Sequence, residues 1–178
     1  MRFLIVSGGE ATDEFVENVI KRGGYDVILA ADSGMDFLYR TKILPDIIVG
    51  DFDSVDPEVL EFFREHEEID ICALNPVKDD TDTEFAIRES IRRGATEITI
   101  IGGTGTRLDH VLGNISLLGI GLEEDVRMEL LDANNRIRMT DHSVVLKKKQ
   151  QYGKYLSLLP YSEKVTGVTL RGVKYPLD

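Results

Sequence analysis

One cysteine, Cys72, is all the chain holds, so neither an intrachain disulfide nor a cysteine-based zinc site can form. It lies in Ile69-Asp70-Ile71-Cys72-Ala73-Leu74, which alternates as a strand does, and it reads as a small buried apolar residue. No apolar run approaches the roughly 20 residues that a membrane span needs. Met1-Arg2-Phe3-Leu4-Ile5-Val6 runs straight into Ser7-Gly8-Gly9, a first strand too short for a signal peptide. The expectation is a cytoplasmic protein without a membrane partner. Basic residues are also scarce: 21 Lys and Arg face 32 Asp and Glu, a net charge of -11. That argues against nucleic acid as the main partner, because phosphate backbones reward basic patches. Lys147-Lys148-Lys149 is too short to reverse the argument. The acidity suits solubility, a cationic ligand, or carboxylates gathered around metal.

What is present is ordinary in bulk and specific in pattern. With 178 residues, 42% hydrophobic and 30% charged, the chain is a soluble globular protein of one domain or one domain with a small appendage. Through the first two-thirds, short apolar strands alternate with helices. Strands are expected at residues 3–6, 27–30, 47–49, 69–74 and 97–101, and helices at 13–22, 35–39, 57–66, 81–93 and 108–118. Such alternation predicts a parallel sheet covered by helices, an α/β fold. After about residue 125 the pattern changes to strand-like runs at 126–131, 136–139, 143–147, 155–159 and 168–170, joined by polar or Gly/Pro turns. This predicts a small antiparallel β domain over 125–178, following an α/β domain over 1–124.

Four clusters fall where loops should follow strands. They are Asp32-Ser33-Gly34, Gly50-Asp51-Phe52-Asp53-Ser54, Lys78-Asp79-Asp80-Thr81-Asp82, and the run from Gly102-Gly103 through Arg107 to Asp109-His110. In an open parallel sheet, ligands bind beyond the carboxyl ends of the strands, so these distant clusters should meet in one crevice. A polyphosphate with its magnesium needs this mixture of oxygen ligands for a hard cation, bare backbone for close phosphate approach, and cations to offset charge.

Asp51 and Asp53, two residues apart, would share a face about 7 Å apart if the chain stays extended. They could clamp magnesium together, or one could bind it while the other polarises a nucleophile. A solvent-exposed turn would account for this pair taken alone. Thr81 with Glu84 is a capping box, and acids near a helix start complement its dipole. Helix capping does not explain three aspartates beside Lys78. Lys78 is therefore expected to contact phosphate and Asp79 and Asp82 to hold metal, with Asp80 on the surface. The glycine loop opens a helix, where backbone N–H groups attract phosphate. It fails as a dinucleotide fingerprint because Leu108 occupies the third glycine position. It fails as a P-loop because no Gly-Lys-Ser/Thr occurs anywhere. Arg107 suits phosphate oxygens, which a guanidinium forks onto, and His110 is a weaker candidate beside it. His66 and His142 have no supporting neighbours.

In this order the clusters resemble the thiamine pyrophosphokinase family. The resemblance runs through Lys78-Asp79-x-Thr81-Asp82-x-Glu84, Arg107-x-Asp109-His110 and Asn114-x-x-Leu117-Leu118. It continues through Ser157-Leu158-Leu159-Pro160 and Val165-Thr166-Gly167-Val168-Thr169-Leu170 to Tyr175-Pro176-Leu177. It implies a Rossmann-like nucleotide domain followed by a sandwich-like β domain, a homodimer, and transfer of diphosphate from ATP to the hydroxyl of thiamine, yielding thiamine diphosphate and AMP. By resemblance the catalytic and metal-holding residues are Asp51, Asp53, Asp79 and Asp82, with Mg2+ as cofactor. The nucleotide-binding residues are Asp32, Ser33, Gly34, Lys78, Gly102, Gly103, Arg107, Asp109, His110 and Asn114. Two departures stand out. Thr106 takes a position where the family commonly has glycine. The chain also stops at Asp178, before the last strand and Ser-Asn-Glu-like segment that the resemblance leads one to expect in the thiamine pocket. Alternatives are a pyrophosphokinase for another heterocyclic alcohol, such as a hydroxymethylpterin, and a non-catalytic nucleotide and magnesium binding module.

Overall fold

The computed structural model describes residues 1–53, 55–74 and 81–177. Strands β1 (Arg2–Val6), β2 (Val27–Ala31), β3 (Ile47–Gly50), β4 (Asp70–Ala73), β5 (Glu97–Ile101), β6 (Arg127–Leu131) and β7 (Arg136–Ile137) form one sheet in the order β4-β3-β2-β1-β5-β6-β7. All pairs are parallel except the last, β6 with β7. The helices are α1 (Asp13–Gly23), α2 (Gly34–Thr41), α3 (Pro57–Arg64), α4 (Asp82–Arg92) and α5 (Leu108–Glu123).

Strand order explains the layering. Successive units step outward from β1 to β4, and right-handed crossovers put α1, α2 and α3 on one face. The chain then returns past β1 to β5 and steps the other way, so α4 and α5 cover the opposite face. Two apolar layers result. One packs Leu4, Val6, Ala30 and Ile48 against Val16, Met35, Leu38, Val59 and Phe63. The other packs Phe3, Ile5, Leu29 and Ile98 with Ala86, Ile87 and Leu118. Strands buried on both faces read as continuous apolar runs, as β1 and β5 do.

Helix ends follow local chemistry. Thr12 caps α1 by accepting from Phe15 N at 3.2 Å. Asp56 caps α3, with Pro57 at its first turn, by accepting from Glu58 N at 2.9 Å. Thr81 caps α4 by accepting from Glu84 N at 3.2 Å. At the amino edge of the sheet, Glu97 accepts from Arg2 Nε at 3.2 Å and from the Arg127 guanidinium at 2.8 Å. The Asp26 and Asp46 carboxylates accept the backbone N–H groups of Arg2 and Ile28, each at 2.7 Å.

Three expectations need correction. The runs at 126–131 and 136–139 do not open a separate β domain: β6 extends the parallel sheet beside β5 and β7 closes its edge. A buried strand with polar flanks looks the same in either setting. Beyond Met139, the described residues form no strand at 143–147 or 155–159. They hold a 3-10 turn at Lys148–Gln150 and an antiparallel bridge between Leu170 and Leu177. Tyr152 ties this segment back, its hydroxyl donating to the Asp132 carbonyl and its ring lying 4.9 Å from the Arg136 guanidinium. Cys72 is half-buried rather than enclosed.

Candidate functional site

The carboxyl ends of the parallel strands lie in register. Val6 pairs with Ala30 and Ile101, Ala31 with Val49, Gly50 with Ala73, and Ile101 with Leu131. The clusters that follow β2, β3 and β5 therefore emerge on the same rim, with neighbouring strands about 4.8 Å apart. The order reverses between β1 and β5, and crevices in open α/β sheets form at such a switch.

Close backbone packing shapes the rim at that switch. Gly34 lies so near β1 that a Cβ there would stand 1.9 Å from the Val6 carbonyl oxygen, and one on Gly102 would stand 2.0 Å from that of Ser7. Gly9 N donates to Gly102 O and Glu10 N to Thr104 O, both at 2.7 Å, so the loop after β1 pairs with the glycine loop after β5. Asn114 in α5 holds the same loop, its Nδ2 donating to Gly103 O at 2.8 Å.

The β2 and β3 loops are held in unusual backbone. Asp32 and Phe52 adopt left-handed conformations, with φ of 46° and 63°. For residues with a Cβ this costs roughly 1–2 kcal/mol. Asp32 is fixed by donating its N–H to Val49 O at 2.8 Å and accepting from Met35 N at 3.0 Å. Asp51 accepts the backbone N–H of Asp53 at 3.1 Å, which sets both carboxylates in one tight turn. Ser33 precedes α2 without capping it through its side chain. Asp82 opens α4.

Arg107, Asp109 and His110 lie at the exposed start of α5. Arg107 grips Asp109 with two hydrogen bonds, at 3.3 and 2.5 Å. That grip holds the Asp109 carboxyl below its usual range, while His110 Nε2 lies 4.0 Å away. The contact engages Nε and Nη2 of the guanidinium, the fork that would otherwise face an outside acceptor. Lys78, Asp79 and Asp80, with Ser54, lie outside the described residues. Among the described residues, no three His, Cys, Asp or Glu side chains gather closely enough to hold a metal ion. The donors Asp51 and Asp53 after β3, and Asp82 at the start of α4, nevertheless form a set that suits a hard cation, since it is all carboxylate oxygen.

The structure adds residues that sequence reasoning missed. Ser7, Gly8 and Gly9 line the reversal point, and Thr83 reaches Ser7 from α4. Their signal was a Ser-Gly-Gly directly after the first strand, which gains meaning once the strand order is known. Asp36, one turn after Asp32, has a buried Oδ1 without a hydrogen-bond partner among the described residues. Burial raises its pKa, Arg40 opposes that rise, and Asp32 and Asp56 add to it.

These features define a three-layer α/β protein whose carboxylates and close-packed glycines share one rim of a mostly parallel sheet. The thiamin pyrophosphokinase catalytic-domain model matches residues 22–130, and the vitamin B1 binding-domain model matches residues 141–178. Thiamine pyrophosphokinase of Bacillus subtilis is 35% identical over 153 residues, covering 84% of this chain and 70% of its own. Thiamine pyrophosphokinase 1 of Oryza sativa is 28% identical over 149 residues, covering 78% and 55% respectively. A solved structure of a thiamin pyrophosphokinase family protein from Enterococcus faecalis superposes with a TM-score of 0.65 at 34% identity, covering 78% of this chain and 64% of that one. The chain belongs to the thiamin pyrophosphokinase family. It spans between about half and 70% of the relatives named here. Among the described residues, no helix is long and apolar enough to cross a membrane.

Proposed function

We propose that this chain acts as a thiamine pyrophosphokinase, moving the terminal diphosphate of ATP to the hydroxyl of thiamine. The observation that carries the reading is the pairing of two matches in one chain: a catalytic domain whose strand ends carry the carboxylates, then a vitamin B1 binding domain. That second match favours thiamine over a hydroxymethylpterin or another heterocyclic alcohol.

In this reading the Rossmann-like half binds ATP along the carboxyl rim. Gly102 and Gly103 admit phosphate close to backbone at the start of α5, and Asp32-Ser33-Gly34 form the neighbouring wall. Asp51, Asp53 and Asp82, with Asp79, would hold Mg2+, which supplies charge neutralisation along the triphosphate. Arg107 exchanges Asp109 for a phosphate oxygen. The thiamine hydroxyl oxygen attacks the β-phosphorus, the bond from that phosphorus to the α-phosphate oxygen breaks, and AMP leaves. The hydroxyl proton passes to a carboxylate of the Asp51–Asp53 turn. Thiamine is cationic, which suits an acidic rim in a chain of net charge -11. The segment over 141–178 forms the acceptor side, a homodimer is the working assembly, and the cytoplasm the working compartment.

Incubation with ATP, magnesium and thiamine tests the reading. Thiamine diphosphate and AMP are the expected products in equal amounts. ADP as the dominant product would overturn the reading in favour of single-phosphate transfer.

A further inference from the structure

The sheet-facing stripe of α4 has a polar residue at its leading end. Thr83, Ala86, Ile87 and Ser90 recur at the three- and four-residue steps of a helix face packed on a sheet. Ser90 returns its hydroxyl to Ala86 O at 2.7 Å, inside its own helix. Thr83 reaches across to another element: its Oγ1 lies 2.8 Å from Ser7 Oγ, 76 residues away in sequence. Both residues are buried, at 7% and 8% exposure. Packing alone would be met equally by valine, which has threonine's shape. Apolar contact is non-directional, whereas a hydrogen bond fixes both separation and angle. The hydroxyl pair therefore adds a directional constraint at the first turn of α4 to the rotation that the apolar stripe already favours.

The Ser7 backbone is itself tied down. Its N–H donates to Ile101 O at 2.8 Å, and its carbonyl packs on Gly102 where no Cβ would fit. Three parts of the rim meet there: the end of β1, the glycine loop after β5, and the first turn of α4. Asp82 directly precedes Thr83 and is half-buried. Successive side chains on a helix stand about 100° apart, so fixing the direction of Thr83 fixes that of Asp82. We propose that the Ser7–Thr83 hydrogen bond aims Asp82 at the magnesium-triphosphate group, making Ser7 and Thr83 positioning residues that act through Asp82. The inference rests on the function proposed above.

Calorimetric titration with magnesium-ATP reads the effect without turnover. Thr83→Val and Ser7→Ala should each weaken binding about tenfold, as the loss of a hydrogen bond behind a metal ligand typically does. Thiamine binding and the cooperativity of unfolding should be unchanged. Thr83→Ser keeps the hydroxyl and should restore wild-type binding. Because one bond is removed by either change, the Ser7→Ala/Thr83→Val double variant should bind no more weakly than the singles. Should Thr83→Val unfold, Ser7→Ala breaks the same bond with a smaller change in shape. Wild-type affinity in Thr83→Val or in Ser7→Ala would overturn the proposal, as would a Thr83→Ser variant as weak as the valine form, or losses that add in the double variant. A wild-type chain that binds magnesium-ATP but forms no AMP with thiamine would instead overturn the proposed function, and the binding comparison would still judge the role of Ser7.

Discussion

Asn114 Nδ2 donates to the Gly103 carbonyl oxygen across 2.8 Å, so the second turn of α5 anchors the glycine loop that precedes the helix. The side chain is half-buried and acts through the loop. Asn114→Ala should therefore lower stability by about 1 kcal/mol, the ordinary cost of one hydrogen bond, and raise the KM for ATP more than that for thiamine. Urea unfolding and initial rates with each substrate varied will check this. An equal rise in both KM values would show that the loop is not what Asn114 serves.

Asp53→Asn and Asp82→Asn should each remove most turnover while leaving the unfolding midpoint almost unchanged. Asp53 is an exposed loop carboxylate and Asp82 a half-buried acid in the first turn of α4, positions that contribute little to folding, whereas under the proposed function either change removes a magnesium ligand and its charge compensation in the transition state. The expected loss is about 10²–10³ in kcat, corresponding to roughly 3–4 kcal/mol. Thr81→Ala, in contrast, should cost about 1 kcal/mol of stability through the lost cap to Glu84 N.

Gly34→Ala should damage the fold itself. The added methyl would stand 1.9 Å from the Val6 carbonyl oxygen, and neither backbone can yield without disturbing the β1–β2 pairing. A loss of about 3 kcal/mol is expected, the upper range for overpacking. Gly94→Ala makes a useful contrast, since nothing lies within 4 Å of its Cβ position, although its φ of 88° still disfavours a side chain. Thermal melts of the two variants should separate steric crowding from backbone strain.

Glu89 carries a pH dependence. Hydrogen bonds from Arg92 and then Arg93 pull its carboxyl down to about 2 from an ordinary 4.5, against an opposing effect of burial. In the unfolded chain the group takes up its proton near 4.5, so the stabilisation is complete above that pH and is lost as pH falls towards about 2. After solvent screening the contribution is about 1–2 kcal/mol. Glu89→Gln should be less stable at neutral pH and should lose less further stability on acidification. Denaturant midpoints at a series of pH values will show whether the two curves converge.

The element types were legible because periodicity reports them directly. β5 falls where its apolar run predicts, and α1 and α4 begin beside the threonines that cap them. The clusters at Asp32, Asp51, Asp82 and Gly102 could be placed at strand ends for the same reason. Strand order is set by pairing between distant segments, and no local pattern encodes which strand lies beside β1. For that reason Ser7 and Thr83 looked like an ordinary strand end and an ordinary helix turn. The β6 run was misassigned on the same ground. The runs at 143–147 and 155–159 carry the apolar and aromatic composition of strands, yet composition supplies no pairing partner. The Arg107–Asp109 grip could not be foreseen either, since two charged neighbours at a helix start can face apart as readily as together.

The amino edge of the sheet, where Glu97 sits between Arg2 and Arg127, has a practical consequence. It lies a full strand from the carboxyl rim, roughly 16 Å at the usual rise per residue. A fluorophore or surface tether attached at that edge, for instance on Arg127→Cys, would report on the molecule without shading substrate entry. Since Cys72 is the lone native thiol, half-buried and with a pKa raised chiefly by burial, a newly introduced cysteine would label first.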